Sequence, residues 1–205
     1  MLNTFIANCL DREHPEDAIA AAEFVMRSAP GAVETFTVGR LILALPEGTP
    51  SRPELINRFR EAVGRQFPGE ATTRCQVILK QLEGKRDEAI ALLRNSIASQ
   101  TPGPGVPIKP DVYFQRCNLA ALLLDDGKPA EAIDALMPAV SATYGGEARY
   151  LLARAYAHQG EGRDAARWLR QAIDEAPKWA EHARDHAGLK RIPEVIEELA
   201  RPMAR

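Results

Sequence analysis

Small and apolar side chains recur along this chain at spacings of four and seven residues. In GKRDEAIALLRNSI (84–97) they are Ala89, Leu93 and Ser96; in GKPAEAIDALMPAV (127–140) Ala132, Leu136 and Ala139; in GEGRDAARWLRQAI (160–173) Ala165, Leu169 and Ala172. Residues at i, i+4 and i+7 lie on one face of a helix, so each stretch predicts an amphipathic helix with a narrow buried stripe. PEDAIAAAEFVM repeats the template through Ala18, Ala22 and Val25, and RPELINRFREAV through Leu55, Phe59 and Ala62. Five helices thus share one pattern.

The first members of the stripes stand at 18, 55, 89, 132 and 165, in steps of 37, 34, 43 and 33 residues. A period near 34 is that of stacked helix pairs. The two long steps contain PEGTPSRP (46–53) and TPGPGVPIKP (101–110), which have the composition of loops. Prolines at 30, 68, 102 and 177 close four of the five helices, because proline cannot donate to the preceding turn. The fourth has TYGG in that place, and Pro138 near its end is expected to shorten it. Upstream of each stripe lies a partner helix: LNTFIANCLDRE, AVETFTVGRLILAL, ATTRCQVILKQLE, VYFQRCNLAALLLDD and GEARYLLARAYAHQ. Gly39, Ala120 and Ala153 allow close approach of the second helix, and Leu119, Leu123, Leu152 and Tyr156 fill the surrounding space.

In YLLARAYAHQGEGRDAARWLRQAIDEAP, the residues Leu152, Ala153, Tyr156, Gly160, Ala165, Leu169, Ala172 and Pro177 make the chain resemble the tetratricopeptide repeat family. NLAALLLDDGKPAEAIDALMPAV resembles it through Leu119, Ala120, Leu123, Gly127, Ala132, Leu136 and Ala139. The match is degenerate toward the amino terminus, where Gln76 and Lys80 stand at positions the pattern gives to apolar residues. The resemblance implies an all-α fold: a right-handed α-solenoid of antiparallel helix hairpins forming a single domain over 1–205. Its repeats are expected at about 1–30, 31–69, 70–102, 111–144 and 145–178, with a capping segment over 179–205. One hairpin cannot bury its own stripe, whereas stacked hairpins cover one another. The final EVIEELAR, entered at Pro193, is expected to be the covering helix.

What the resemblance implies for function is a non-catalytic scaffold or adaptor that binds a protein, through an extended peptide or a helix, along a concave face lined by the first helix of each pair. The groove-facing positions carried over are Phe36, Arg40, Arg74, Phe114, Cys117, Tyr150, Arg154 and His158. Arginine and aromatic side chains anchor interfaces, and three arginines favour acidic groups on the partner. Asn118 alone matches the Lys and Asn set with which some members clamp a terminal carboxylate, so that mode is not expected. A related reading is a chaperone for a secreted or pilus-type subunit.

Charge and chemistry narrow the alternatives. With 26 Lys and Arg against 28 Asp and Glu, the formal charge of −2 gives no global attraction to nucleic acid or to anionic lipid. The opening MLNTFIANCLDREHPED has no basic leader, and no run reaches the ~20 apolar residues of a membrane span, so a cytoplasmic protein without membrane insertion is expected. Alanine and arginine richness points to a bacterial source. Cys9, Cys75 and Cys117 are an odd, widely spaced set on helices and read as core fillers. His182 and His186 in EHARDH share a helical face and offer a metal-binding alternative, with Glu181 or Asp185 as a further ligand. The glutamate of the zinc-protease pattern is replaced by Ala183, so no general base accompanies them. No cofactor is expected. The first repeat opens at the amino terminus without a cap, which leaves self-association through that repeat as an expected possibility.

Overall fold

The computed structural model describes residues 15–27, 32–65, 70–100, 107–141 and 145–200, whose regular secondary structure is helical, with no strand among them. The helices are α1 (Pro15–Arg27), α2 (Ala32–Ala44), α3 (Arg52–Gly64), α4 (Glu70–Leu82), α5 (Arg86–Gln100), α6 (Pro110–Asp125), α7 (Pro129–Leu136), α8 (Gly146–His158), α9 (Gly162–Glu175), α10 (Lys178–Asp185) and α11 (Pro193–Ala200). Short 3-10 turns follow α7 at Met137–Ala139 and α10 at Leu189–Arg191. The first helix expected before α1 and the prolines at 30, 68 and 102 lie outside the described residues. The chain divides into two compact units, 1–92 and 93–205, with the division inside α5.

In the first unit α1 packs on α2 and α3, α2 on α3 and α4, and α3 on α4. Leu55, Phe59 and Ala62 on α3 and Ala22 on α1 are buried, together with Val38, Leu41, Ile42, Cys75 and Ile78. Gly39 explains how α2 comes so close: a Cβ there would lie 2.7 Å from the Phe59 ring and 3.0 Å from Ile78. Gln76 is exposed and Lys80 pairs with Glu88, so α4 forms with those polar residues outside its core face.

In the second unit each helix again packs on its successors: α6 on α7 and α8, α7 on α8, α8 on α9, and α9 on α10 and α11. The stripes Ala132, Leu136, Ala139 and Ala165, Leu169, Ala172 are fully buried. Pro138 ends α7 after eight residues and the stripe continues to Ala139 through a 3-10 turn. At the carboxyl end α11 begins at Pro193 and is bound to α9 by Val195, which is buried, and by Glu198, which accepts from Arg170 at 3.0 Å.

Three inter-helix turns are built alike. Gly84, Gly127 and Gly160 have φ of 72°, 69° and 78°, the left-handed region that favours glycine. Each glycine N–H donates to the carbonyl three residues back, and the next residue's N–H to the carbonyl five back: Lys85 to Lys80 at 2.8 Å, Lys128 to Leu123 at 2.8 Å, Glu161 to Tyr156 at 2.9 Å. This is the Schellman pattern that caps orphan carbonyls at a helix end. The carbonyl of that same next residue then accepts from Ala89, Ala132 or Ala165 and opens the following helix.

Gly127→Ala forces a side chain into the left-handed region, and urea unfolding should show a loss of about 1–2 kcal/mol. Gly64→Ala, at an exposed helix end with open space around it, should be neutral or stabilising in the same assay. Gly39→Ala should cost roughly 1–3 kcal/mol by crowding Phe59.

Candidate functional site

The expected groove residues fall in both units. In the first, Phe36 packs partly buried against the core, the Arg74 guanidinium lies 5.6 Å from its ring centre, and Arg40 is exposed. Burial pushes the neighbouring Cys75 thiol up to about 11, against the smaller opposing effect of Arg74, so it stays protonated and unreactive.

The second unit gathers more. Tyr150, Arg154 and His158 stand at i, i+4 and i+8 on α8, one row of a helix face. Alongside them α10 presents Trp179, His182 and Asp185, and His186 follows at its end. Gly146 makes this possible, because a Cβ there would meet Trp179 Nε1 at 2.7 Å. The start of α8 is fixed by Arg149, which pairs with Glu175 and donates to the Val140 carbonyl at 2.9 Å.

Trp179 stacks on Tyr150 with ring centres 4.9 Å apart and planes 21° from parallel, and Lys178 Nζ lies 4.8 Å from the Trp179 ring centre. His182 sits beside both rings, 5.3 Å from Trp179 and 6.2 Å from Tyr150. The Tyr150 hydroxyl donates to the His182 carbonyl at 3.4 Å. Burial raises the Tyr150 pKa, with Asp185 adding to the rise and Arg154 opposing it. The phenol is therefore a neutral donor.

Arg154 is held loosely. Its terminal nitrogen lies 3.8 Å from Asp125 at the end of α6, and its buried Nε has no hydrogen-bond partner among the described residues. A buried guanidinium N–H without an acceptor is costly and uncommon. Phe114 is 45% exposed and meets Tyr113 edge-on at 5.2 Å, whereas Cys117 is buried beside Tyr113 with its thiol pushed up by burial.

His186 has a defined structural role. It terminates α10 with extended ψ of 117°, and its Nδ1 accepts from the N–H of Gly188 at 3.2 Å and of Leu189 at 3.3 Å. An imidazole that accepts at Nδ1 is neutral there. Burial lowers the His186 pKa, Arg154 and then His158 nearby lower it further, and Asp125 works the other way. With Nδ1 engaged, the His182 and His186 pair expected as metal ligands can offer only Nε2 from His186. No group of three or more His, Cys, Asp or Glu among the described residues is arranged to hold a metal ion.

Sequence reading did not select Asp125 or join His182 and His186 to the groove row. For Asp125 the signal exists: it precedes His158 by 33 residues, the step between Ala132 and Ala165, so the two occupy equivalent repeat positions. Gln115 was also overlooked; it is buried on α6, and neither end of its amide has a partner among the described residues. Its approach shows no alternation that would distinguish it from an exposed glutamine.

No family model, no curated protein and no solved structure matches the chain. The described helices contain none long and apolar enough to cross a membrane.

Because the folded-state pKa of His186 is depressed below its ordinary 6.5, the cap's contribution is fully present above pH 6.5 and is lost as pH falls from there through the lowered folded value. His186→Asn keeps an acceptor for the turn without titrating. Urea midpoints at about pH 7.5 and about pH 5 should therefore fall more in the wild type than in the variant.

Proposed function

We propose that the chain is a scaffold that works by binding a partner protein, its helix pairs stacked as a right-handed α-solenoid of tetratricopeptide type in which first helices line the receiving face. The packing of successive helices within each unit, with α1 also on α3, α2 on α4, α6 on α8 and α9 on α11, supports that stacking, as do the three like glycine turns. In this reading the partner enters as an extended segment or a helix and carries acidic groups. The protein acts in the cytoplasm without a cofactor; buried, protonated Cys75 and Cys117 suit that compartment.

The single observation that carries the reading is the row Tyr150, Arg154, His158 with its arginine Nε left without an acceptor among the described residues. Tyrosine and arginine supply large contact area and directional bonds at low entropic cost, and they dominate the energetics of protein interfaces. A carboxylate arriving from a partner would form a charge-assisted bond to the terminal nitrogen of Arg154, which now has only a 3.8 Å contact with Asp125.

Panning a displayed library of random peptides on the full chain tests this. Wild type should enrich acidic peptides, and Arg154→Glu should bind them roughly tenfold or more weakly, the worth of one such bond. Absence of any enriched peptide, or equal retention by both proteins, would reject the scaffold reading.

A further inference from the structure

Residues of α9, α10 and α11 line a cavity of about 140 Å³ that shares none of them with the row Tyr150, Arg154, His158. Ile173 and Leu199 give it apolar wall, and four charged side chains reach it: Arg170, Glu198, Glu181 and Arg184. Two of the four belong to one another. Arg170 Nη1 lies 3.0 Å from Glu198 Oε1, and its Nε lies 3.0 Å from Asp174. The remaining two are uncommitted. Glu181 has no ion pair among the described residues, and the Arg184 guanidinium has no carboxylate there, only a long contact of 3.5 Å with the Leu199 carbonyl. Both are exposed, so a ligand can reach them without displacing a buried group.

We propose that this cavity binds a small aliphatic α-amino acid, with its carboxylate on Arg184, its ammonium on Glu181 and its side chain against Ile173 and Leu199. The site is independent of the scaffold reading and adds a small-molecule ligand to the protein. Size sets the first limit. An apolar cavity of about 150 Å³ accommodates benzene, so this one takes a molecule of roughly six to eight heavy atoms. Alanine and valine fall in that range, whereas an aromatic amino acid or a nucleotide does not.

Charge sets the second limit. With Arg170 and Glu198 satisfying each other, one uncommitted charge of each sign is left, Arg184 and Glu181. A simple anion bound there would face Glu181, and a simple cation would face Arg184; a zwitterion meets both favourably. The spacing suits a compact one. Residues 181 and 184 stand at i and i+3 on α10, where side chains start about 5–6 Å apart, and an α-amino acid carries its two charges on adjoining atoms of one carbon. Arginine offers the planar fork that matches a carboxylate. The remaining wall is apolar at Ile173 and Leu199, which favours an aliphatic side chain over a polar one. Arg170 and Glu198 fix α11 on α9 and so hold Leu199 across from Ile173.

The test is titration of the isotopically labelled full chain with L-valine at about pH 7, where both ligand charges are present, read as amide shifts by nuclear magnetic resonance. Shifts should saturate, centred on Ala180, Arg184 and Leu199, with half-saturation on the order of 1 mM. L-Valinamide lacks the carboxylate, and N-acetyl-L-valine lacks the ammonium and stands for the carboxyl end of a peptide. Each should bind roughly tenfold or more weakly than L-valine, and this comparison uses the wild type alone. Arg184→Met should weaken L-valine by a similar factor and leave L-valinamide unchanged. Glu181→Gln should weaken L-valine and leave N-acetyl-L-valine unchanged, a crossed pattern that loss of folding would not produce. Arg40→Met, in the other unit, should bind L-valine as the wild type does. The site is overturned by no saturable shift up to about 50 mM, by shifts centred outside α9, α10 and α11, by equal binding of L-valine and either analogue, or by L-valine binding that neither substitution weakens. Capture of acidic peptides reads a different set of residues, so either proposal can fail while the other stands.

Discussion

A glycine in the left-handed region, followed at once by a new helix, is the constraint on which three of the helix-to-helix turns of this protein depend. At Gly84, Gly127 and Gly160 two amides cap the departing helix, and the carbonyl of the next residue opens the arriving one. One residue, Lys85, Lys128 or Glu161, thus belongs to both ends of the turn. The direction of the second helix follows from bonds rather than from packing alone, and the alanine five residues after each glycine is placed on the buried face every time. A larger side chain at Ala89, Ala132 or Ala165 would hold the two helices apart, since each alanine is wholly buried.

Geometry of this kind supplies little energy by itself. Burial of Leu93, Leu136 and Leu169 contributes about 1.5–3 kcal/mol each, and the turns bring those leucines within reach of their neighbours. Several helices pack on both a sequence neighbour and the helix beyond it, α2 on α3 and α4, α6 on α7 and α8, α9 on α10 and α11, so burial is shared among elements within a unit. α11 packs on α9 with Val195 for apolar cover and the Arg170–Glu198 bond for position.

The helices were legible because two of their determinants are local. The spacing of Ala, Leu and Ala marks the buried stripe, and glycine five residues ahead of it marks the turn. Pro138 and Pro193 were legible for the same reason: loss of an N–H shortens α7 and suits the first turn of α11. The site was only half visible. Tyr150, Arg154 and His158 form a row within one helix, which a sequence displays directly. Their meeting with Trp179 and His182 depends on Gly146, whose small size is read only once the indole above it is known. The part played by His186 depends on where α10 ends, and its bond to the turn is made by a backbone that helical spacing does not describe. A helical wheel places His182 and His186 together as metal ligands; the extended ψ at His186 instead turns the chain there and gives its Nδ1 to the Gly188 and Leu189 amides.

Two arginine–carboxylate pairs in the second unit show how magnitude separates structure from function. Arg170 donates to Glu198 at 3.0 Å, and the glutamate side chain is 6% exposed, so removing Arg170 takes this partner from a buried carboxylate at a cost of up to about 3–5 kcal/mol. That pair holds a helix in place and is expensive to disturb. Arg154 and Asp125 are 3.8 Å apart with the aspartate more than half exposed, and a pair of that kind contributes about 0–1 kcal/mol. Losing Asp125 therefore sacrifices little of the fold, and the buried Nε of Arg154 has no acceptor among the described residues. Of the two pairs, Arg170–Glu198 is the one on which the fold depends, and Arg154–Asp125 is the one it can lose at little cost.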